Sequence, residues 1–224
     1  MRLLRVLAAA TAFAALLSQP LAAQDGRQFK DAWFWGIKGG GLLFTTPYSD
    51  NKLAPYVGAD WLITRSRGGL FVSFDQAFLT DAGIFVDRDA NNAQFNHRVF
   101  LNNLRRLSMA ATVFPLQSPT LHPYLGIGFM FNQLASAELE GGPTSTSRYA
   151  AAVDSVQTKR SVFSPLAIAG VQMRLPRFSV FAQGQASPMQ NNFFLSDPNG
   201  GRAFNLSIEA GIRYNVGSSI DKLR

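Results

Sequence analysis

Two histidines, His97 and His122, are the only imidazoles in a chain of 224 residues that has no cysteine. Histidine is the commonest general base. His97 sits in the run FNHRVF, however, with no serine two residues on, and His122 lies far from it in the chain. Without thiols there is no thiolate metal site and no disulfide. The run Asp87-Arg88-Asp89-Ala90-Asn91 begins like a calcium loop, but Asn92 stands where the sixth-position glycine belongs and Arg98 where the twelfth-position carboxylate belongs. Gly39-Gly40-Gly41 is followed by more strand rather than a helix, so it suits close packing better than a phosphate cradle. No catalytic residue, metal site or cofactor is expected from these motifs.

The elements that would position any chemistry are strands. Apolar and polar residues alternate with period two in block after block, and a period of 3.6 is nowhere sustained. In the last block Phe204, Leu206, Ile208, Ala210, Ile212, Tyr214 and Val216 share one face, while Glu209 and Arg213 lie on the other. Such a strand is longer than the usual five or six residues and matches the ~9–11 tilted residues needed to cross a bilayer. Further strands are predicted over 32–45, 54–64, 70–79, 99–114, 123–137, 162–174 and 178–185. The expected fold is all-β, an eight-stranded antiparallel up-and-down transmembrane β-barrel.

Connection lengths alternate as well. Residues 64–69, 115–120 and 175–177 are short turns, while 80–98, 138–161 and 187–202 read as long loops. Short turns on one side and long loops on the other suit a barrel in an outer membrane. Trp33, Trp35, Trp61, Phe114, Phe178 and Tyr214 fall at strand ends beside the short turns and form a candidate aromatic girdle; Phe78, Phe131, Phe163 and Phe204 mark the opposite rim.

Parity directs six charges inward: Lys38, Asp60, Asp75, Arg106, Glu209 and Arg213. Counted from the short-turn ends, Lys38, Asp75, Arg106 and Glu209 come to similar heights, and Asp60 and Arg213 lie lower. An eight-stranded barrel is just wide enough to be filled by side chains. Three positive and three negative charges there are expected to pair and plug the lumen.

The first 23 residues read as a cleavable signal peptide: Arg2 and Arg5, an apolar core over residues 6–17, and a small-residue site ahead of Gln24. Residues 24–224 are then one barrel domain. Without the two leader arginines, 19 basic residues face 14 acidic ones, a formal +5, and they are scattered rather than interleaved with aromatics. Nucleic acid is therefore not an expected partner, whereas an anionic lipid surface is.

The segments APYVGADWL (54–62) and HPYLGIGFMF (122–131), with Gly211, Tyr214 and Val216 near the end, resemble the small eight-stranded outer-membrane barrels of the OmpA-like and opacity-type superfamily. The resemblance implies location in a bacterial outer membrane and contact with its lipids and lipopolysaccharide. It also implies that Gly211, Tyr214 and Val216 serve as an assembly signal for the barrel-assembly machinery. A monomeric, non-enzymatic protein acting through its outer loops is the leading expectation. A narrow porin-like channel would need an uncompensated or apolar lumen, and a lipid-modifying enzyme would need a membrane-facing histidine with a serine or carboxylate near the outer rim.

Overall fold

The computed structural model describes residues 31–46, 49–88, 94–116, 118–140, 153–188, 193–195 and 204–218. The expected signal peptide lies outside the described residues. Eight strands follow in chain order: β1 Ala32–Thr46, β2 Ser49–Arg65, β3 Gly68–Arg88, β4 Gln94–Val113, β5 Leu121–Leu139, β6 Ser161–Arg174, β7 Phe178–Pro188 and β8 Phe204–Ser218. Each pairs antiparallel with its neighbours, and β8 closes on β1 with Lys38 opposite Gly211 and Gly41 opposite Ile208. Closure follows from the alternation itself. With one face of every strand apolar, a curled sheet separates the two faces completely and leaves no unpaired edge.

The sequence-based boundaries lie within two residues of the observed ones at the short-turn ends, whereas on the long-loop side β2, β3 and β4 run five to nine residues further than expected. Residues 80–98, expected as a loop, belong mostly to β3 and β4, which continue as a ladder from Thr80↔Asn102 to Arg88↔Gln94. Their alternation is broken by irregularities that reset parity. The ladder shifts register between Ala77 and Thr80. On β4, Asn103 takes φ of 50°, a left-handed conformation that asparagine tolerates. Below it Leu104 and Arg106 face inward; above it Val99 and Leu101 do.

Two long-loop segments return to the barrel. Within the expected 138–161 loop a short helix over 153–158 buries Val156. Within 187–202, Phe193, Phe194 and Leu195 are buried against the inward faces of the upper strands, beside Leu42, Phe44, Leu101, Leu104 and Leu134. A second apolar cluster fills the base, where Phe34, Leu62, Phe71, Phe114 and Tyr124 meet. The charged residues lie between these two layers in strand register.

Candidate functional site

All six charges singled out by parity are buried inside the barrel. They form two groups. In the upper one, Lys38 Nζ donates to Glu209 Oε1 and Oε2 at 3.0 and 2.9 Å. The same ammonium lies 2.9 Å from Asp75 Oδ1. The other Asp75 oxygen accepts from Arg106 Nη2 at 3.2 Å, and Arg106 Nη1 donates to Ser207 Oγ at 3.3 Å. Two cations and two anions therefore close a neutral chain from β1 and β8 to β3 and β4. In the lower group, Arg213 Nε and Nη2 grip Asp60 Oδ1 and Oδ2 at 2.9 and 3.1 Å, a bidentate pair. Arg213 Nη1 donates to Gln172 Oε1 at 2.7 Å, and the guanidinium lies 3.7 Å from the centre of the Phe181 ring.

Several partners in this network are not evident from formal charge. The Tyr56 hydroxyl and Gln183 Nε2 both donate to Glu209, and Gln185 Nε2 does so at 2.8 Å. The Tyr124 hydroxyl donates to the Gln183 carbonyl, and the Arg213 guanidinium lies 5.9 Å from the centre of the Tyr124 ring, so Tyr124 stands between the two groups. Arg106 also stacks over Tyr56, 4.6 Å from its centre. The available signal was parity: Tyr56 lies on the Asp60 face of β2, and Gln183 and Gln185 share one face of β7.

Glycines make the room. A Cβ on Gly36 would stand 2.6 Å from Asp60 Oδ1 and 2.7 Å from Arg213 Cγ, and one on Gly58 would stand 2.2 Å from Asp75 Oδ1. Gly211, expected as part of an assembly signal, faces inward, where a Cβ would come 2.3 Å from the Ile37 carbonyl. Tyr214 and Val216 point outward. Above Arg106 lies a cavity of ≈ 20 Å³ between Arg106, Gln185 and Ser207 on one side and Leu104, Phe193 and Leu195 on the other. That is room for about one water molecule.

The outer surface is the reverse of the interior. Ile37, Ile127 and Ile208 are each about three-quarters exposed, and leucines, valines and phenylalanines surround them. Trp33, Trp35 and Trp61 stand together at the short-turn rim, Trp61 edge-on to Trp33 at 5.3 Å and stacked on Trp35 at 5.4 Å. Phe178 and Tyr214 pair at 5.3 Å on the same rim. Phe114 is a correction to the expected girdle. It is buried at the base, 5.7 Å from the Tyr124 ring, because it follows outward Val113 and so falls on the inward parity. His97 is also not a loop residue; it lies on β4 and stacks on Phe85 at 6.5 Å. His122 is buried at the opposite end, at the start of β5.

An apolar belt bounded by aromatic residues, around a charged and hydrogen-bonded interior, is the arrangement that a bilayer requires of a closed sheet. The fold and its two faces define a small transmembrane β-barrel. No protein-family model matches the sequence, and no curated protein matches it. Among solved structures, the chain is similar to the attachment invasion locus protein Ail of Yersinia pestis, at 12% identity and a TM-score of 0.48 over 84% of this chain and 99% of that one. It is similar to Neisserial surface protein A, at 10% identity and a TM-score of 0.48 over 81% and 96%. It is also similar to a de novo designed transmembrane β-barrel, at 17% identity and a TM-score of 0.42 over 85% and 99%.

Proposed function

We propose that this protein is a non-catalytic barrel of a bacterial outer membrane whose lumen is closed by its charge network, and which acts through the segments joining its strands on the long-loop side. The carrying observation is the set of donors on Glu209. Lys38 of β1, Tyr56 of β2 and Gln183 and Gln185 of β7 converge on one carboxylate of β8, so the interior is spanned at that height. The neutral balance of the upper group supports closure, since an unpaired charge would favour water and ions in the lumen. Phe193, Phe194 and Leu195 support it from above, by placing apolar side chains over the charged layer.

A location in the outer membrane is supported by the signal-like leader, the belt of exposed apolar side chains and the sorting of short and long connections. Contact with lipopolysaccharide and assembly by the barrel-assembly machinery belong to the same reading, as does a monomeric state, for which a closed sheet without a free edge is sufficient. Planar-bilayer recording of the refolded protein, after heat-modifiable gel migration has established folding, is the test. Closure predicts no steady conductance. A steady porin-like current from the folded protein would instead make it a narrow channel.

A further inference from the structure

We propose that the barrel interior above the charge network is a binding site for an uncharged single-chain amphiphile. Its hydroxyl head would rest on the polar floor, and its alkyl tail would take the place of Phe193 and Leu195. The inference goes beyond the closed-lumen reading and does not depend on it, since the compartment lies on the long-loop side of the charges. Arg106, Gln185 and Asn205 line the cavity of ≈ 20 Å³ at its floor. Arg106 Nε, Gln185 Oε1 and Asn205 Oδ1 are each buried without a hydrogen-bond partner among the described residues. Arg106 and Gln185 are only 2% and 3% exposed, so bulk water does not serve them. A buried donor or acceptor left alone is costly, and a ligand that partners it relieves that penalty.

The unpartnered atoms select the head. One is a donor and two are acceptors. A hydroxyl can accept from Arg106 Nε and donate to Gln185 Oε1 or Asn205 Oδ1. A carboxylate only accepts, and it would add a negative charge where Lys38 and Arg106 already balance Asp75 and Glu209. An alkane meets none of the three. The compartment selects the tail. Leu42, Leu101, Leu104 and Leu134 wall it, and it is filled by Phe193, Phe194 and Leu195, which belong to the connection between β7 and β8 and to no strand. An alkyl chain buries the same apolar walls. That wall is not a continuous ladder. β2 and β3 both continue beyond Tyr56 and Ala77, their last paired residues, and Ala54 and Leu79 beside this seam belong to the apolar layer. Lys52 reaches across it, to the Thr80 carbonyl at 3.5 Å and Asp81 Oδ2 at 3.6 Å.

Methyl NMR of the leucine-labelled protein in lipid nanodiscs tests this, with decan-1-ol, decane and decanoate as probes. Decan-1-ol is expected to shift the methyls of inward Leu42, Leu101, Leu104 and Leu134 saturably, while outward Leu107 and Leu125 follow its partition into the lipid without saturating. Decane and decanoate should bind about fivefold more weakly or worse, the loss of at least one hydrogen bond. Arg106→Lys keeps a cation for Asp75 and removes Nε, and should weaken decan-1-ol by a similar factor while leaving decane unchanged. Gln185→Met with Asn205→Leu removes both acceptors without touching a charge, and carries the same test if Arg106→Lys does not fold. Phe193→Ser, Phe194→Ser and Leu195→Ser together remove the competing occupant and should tighten decan-1-ol binding. Heat-modifiable migration reports the fold of each variant. Absence of saturable shifts at the inward leucines, equal affinities for the three probes, or a triple variant that binds no more tightly overturns the proposal. A steady current through the folded protein would defeat the closed-lumen reading and leave these affinities standing.

Discussion

Glu209 of β8 lies against Lys38 of β1, both carboxylate oxygens within 3.0 Å of the ammonium, at the seam where the last strand pairs with the first. Closure of the sheet and pairing of these charges are therefore one event. The Lys38–Glu209 pair cannot form until β8 has found β1, although Lys38 also meets Asp75 of β3 and Glu209 also accepts from Gln183 and Gln185 of β7.

Removing one member of the pair should cost more than removing both. Glu209→Met leaves Lys38 with Asp75, which Arg106 already shares, so the upper group becomes net positive. Breaking a buried pair in this way typically costs ~3–5 kcal/mol, less where water reaches the site. Lys38→Met with Glu209→Met keeps the Asp75–Arg106 pair neutral and should recover most of that loss. Urea titration of the four proteins, read as a double-mutant cycle, checks it. A double variant as unstable as the sum of the singles would show that the charges do not act as a unit.

The glycine beside Asp75 should resist any side chain. A Cβ at Gly58 meets a carboxylate oxygen and the Phe74 carbonyl at 2.2 and 2.7 Å, whereas one at Gly184 meets nothing closer than 3.8 Å. Gly58→Ala is expected to cost ~1–3 kcal/mol through overpacking, and Gly184→Ala to be close to neutral. Midpoints of urea unfolding in the same lipid compare the two. Equal midpoints would mean that Asp75 moves aside freely.

The outward face of β8 gives a depth test. Ile208 is three-quarters exposed midway along the strand, and Val216 is half exposed at the rim. Arginine at Ile208 should cost ~2–4 kcal/mol, and at Val216 ~0–1 kcal/mol, because the penalty for a charge falls from the bilayer midplane to the interface. Reversible unfolding from lipid vesicles measures both. A flat profile along β8 would contradict a membrane-spanning belt.

These outcomes depend on parity, which was legible in the sequence wherever a strand runs regularly. β8 alternates without interruption, so the direction of Ile208, Glu209 and Arg213 follows from counting. Parity fails at irregularities that carry no sequence signal of their own. Asn103 shifts the count on β4, so Val99 and Leu101 face inward although they lie an odd number of residues from Leu104. Phe114 is an aromatic residue at a strand end, but one position past the outward residue, so it fills the base rather than the rim. The donors on Glu209 were hidden for another reason. Tyrosine and glutamine carry no formal charge, and their convergence depends on how the strands are staggered across the barrel.

The segment 193–195 was hidden most completely, because an apolar triplet inside a polar loop has no period to read. Its burial makes a prediction about access. Phe193, Phe194 and Leu195 lie over the inward faces of Leu101, Leu104 and Leu134, which would otherwise line an open apolar mouth. The chain has no cysteine, so one introduced at Leu101 reports on that surface alone. In the otherwise unchanged protein Leu101→Cys should react slowly with a water-soluble maleimide. Adding Phe193→Ser, Phe194→Ser and Leu195→Ser removes the apolar area that holds the segment in, and polar groups buried there without partners would each oppose its return. The thiol should then react at close to the rate of an exposed cysteine, while heat-modifiable migration persists because the strand ladder below is untouched. Fast reaction before the serines are introduced would mean that the segment does not cover the barrel mouth in the membrane. Slow reaction after them would mean that the strands alone protect it, and that Phe193–Leu195 is a passenger on the barrel rather than its upper closure.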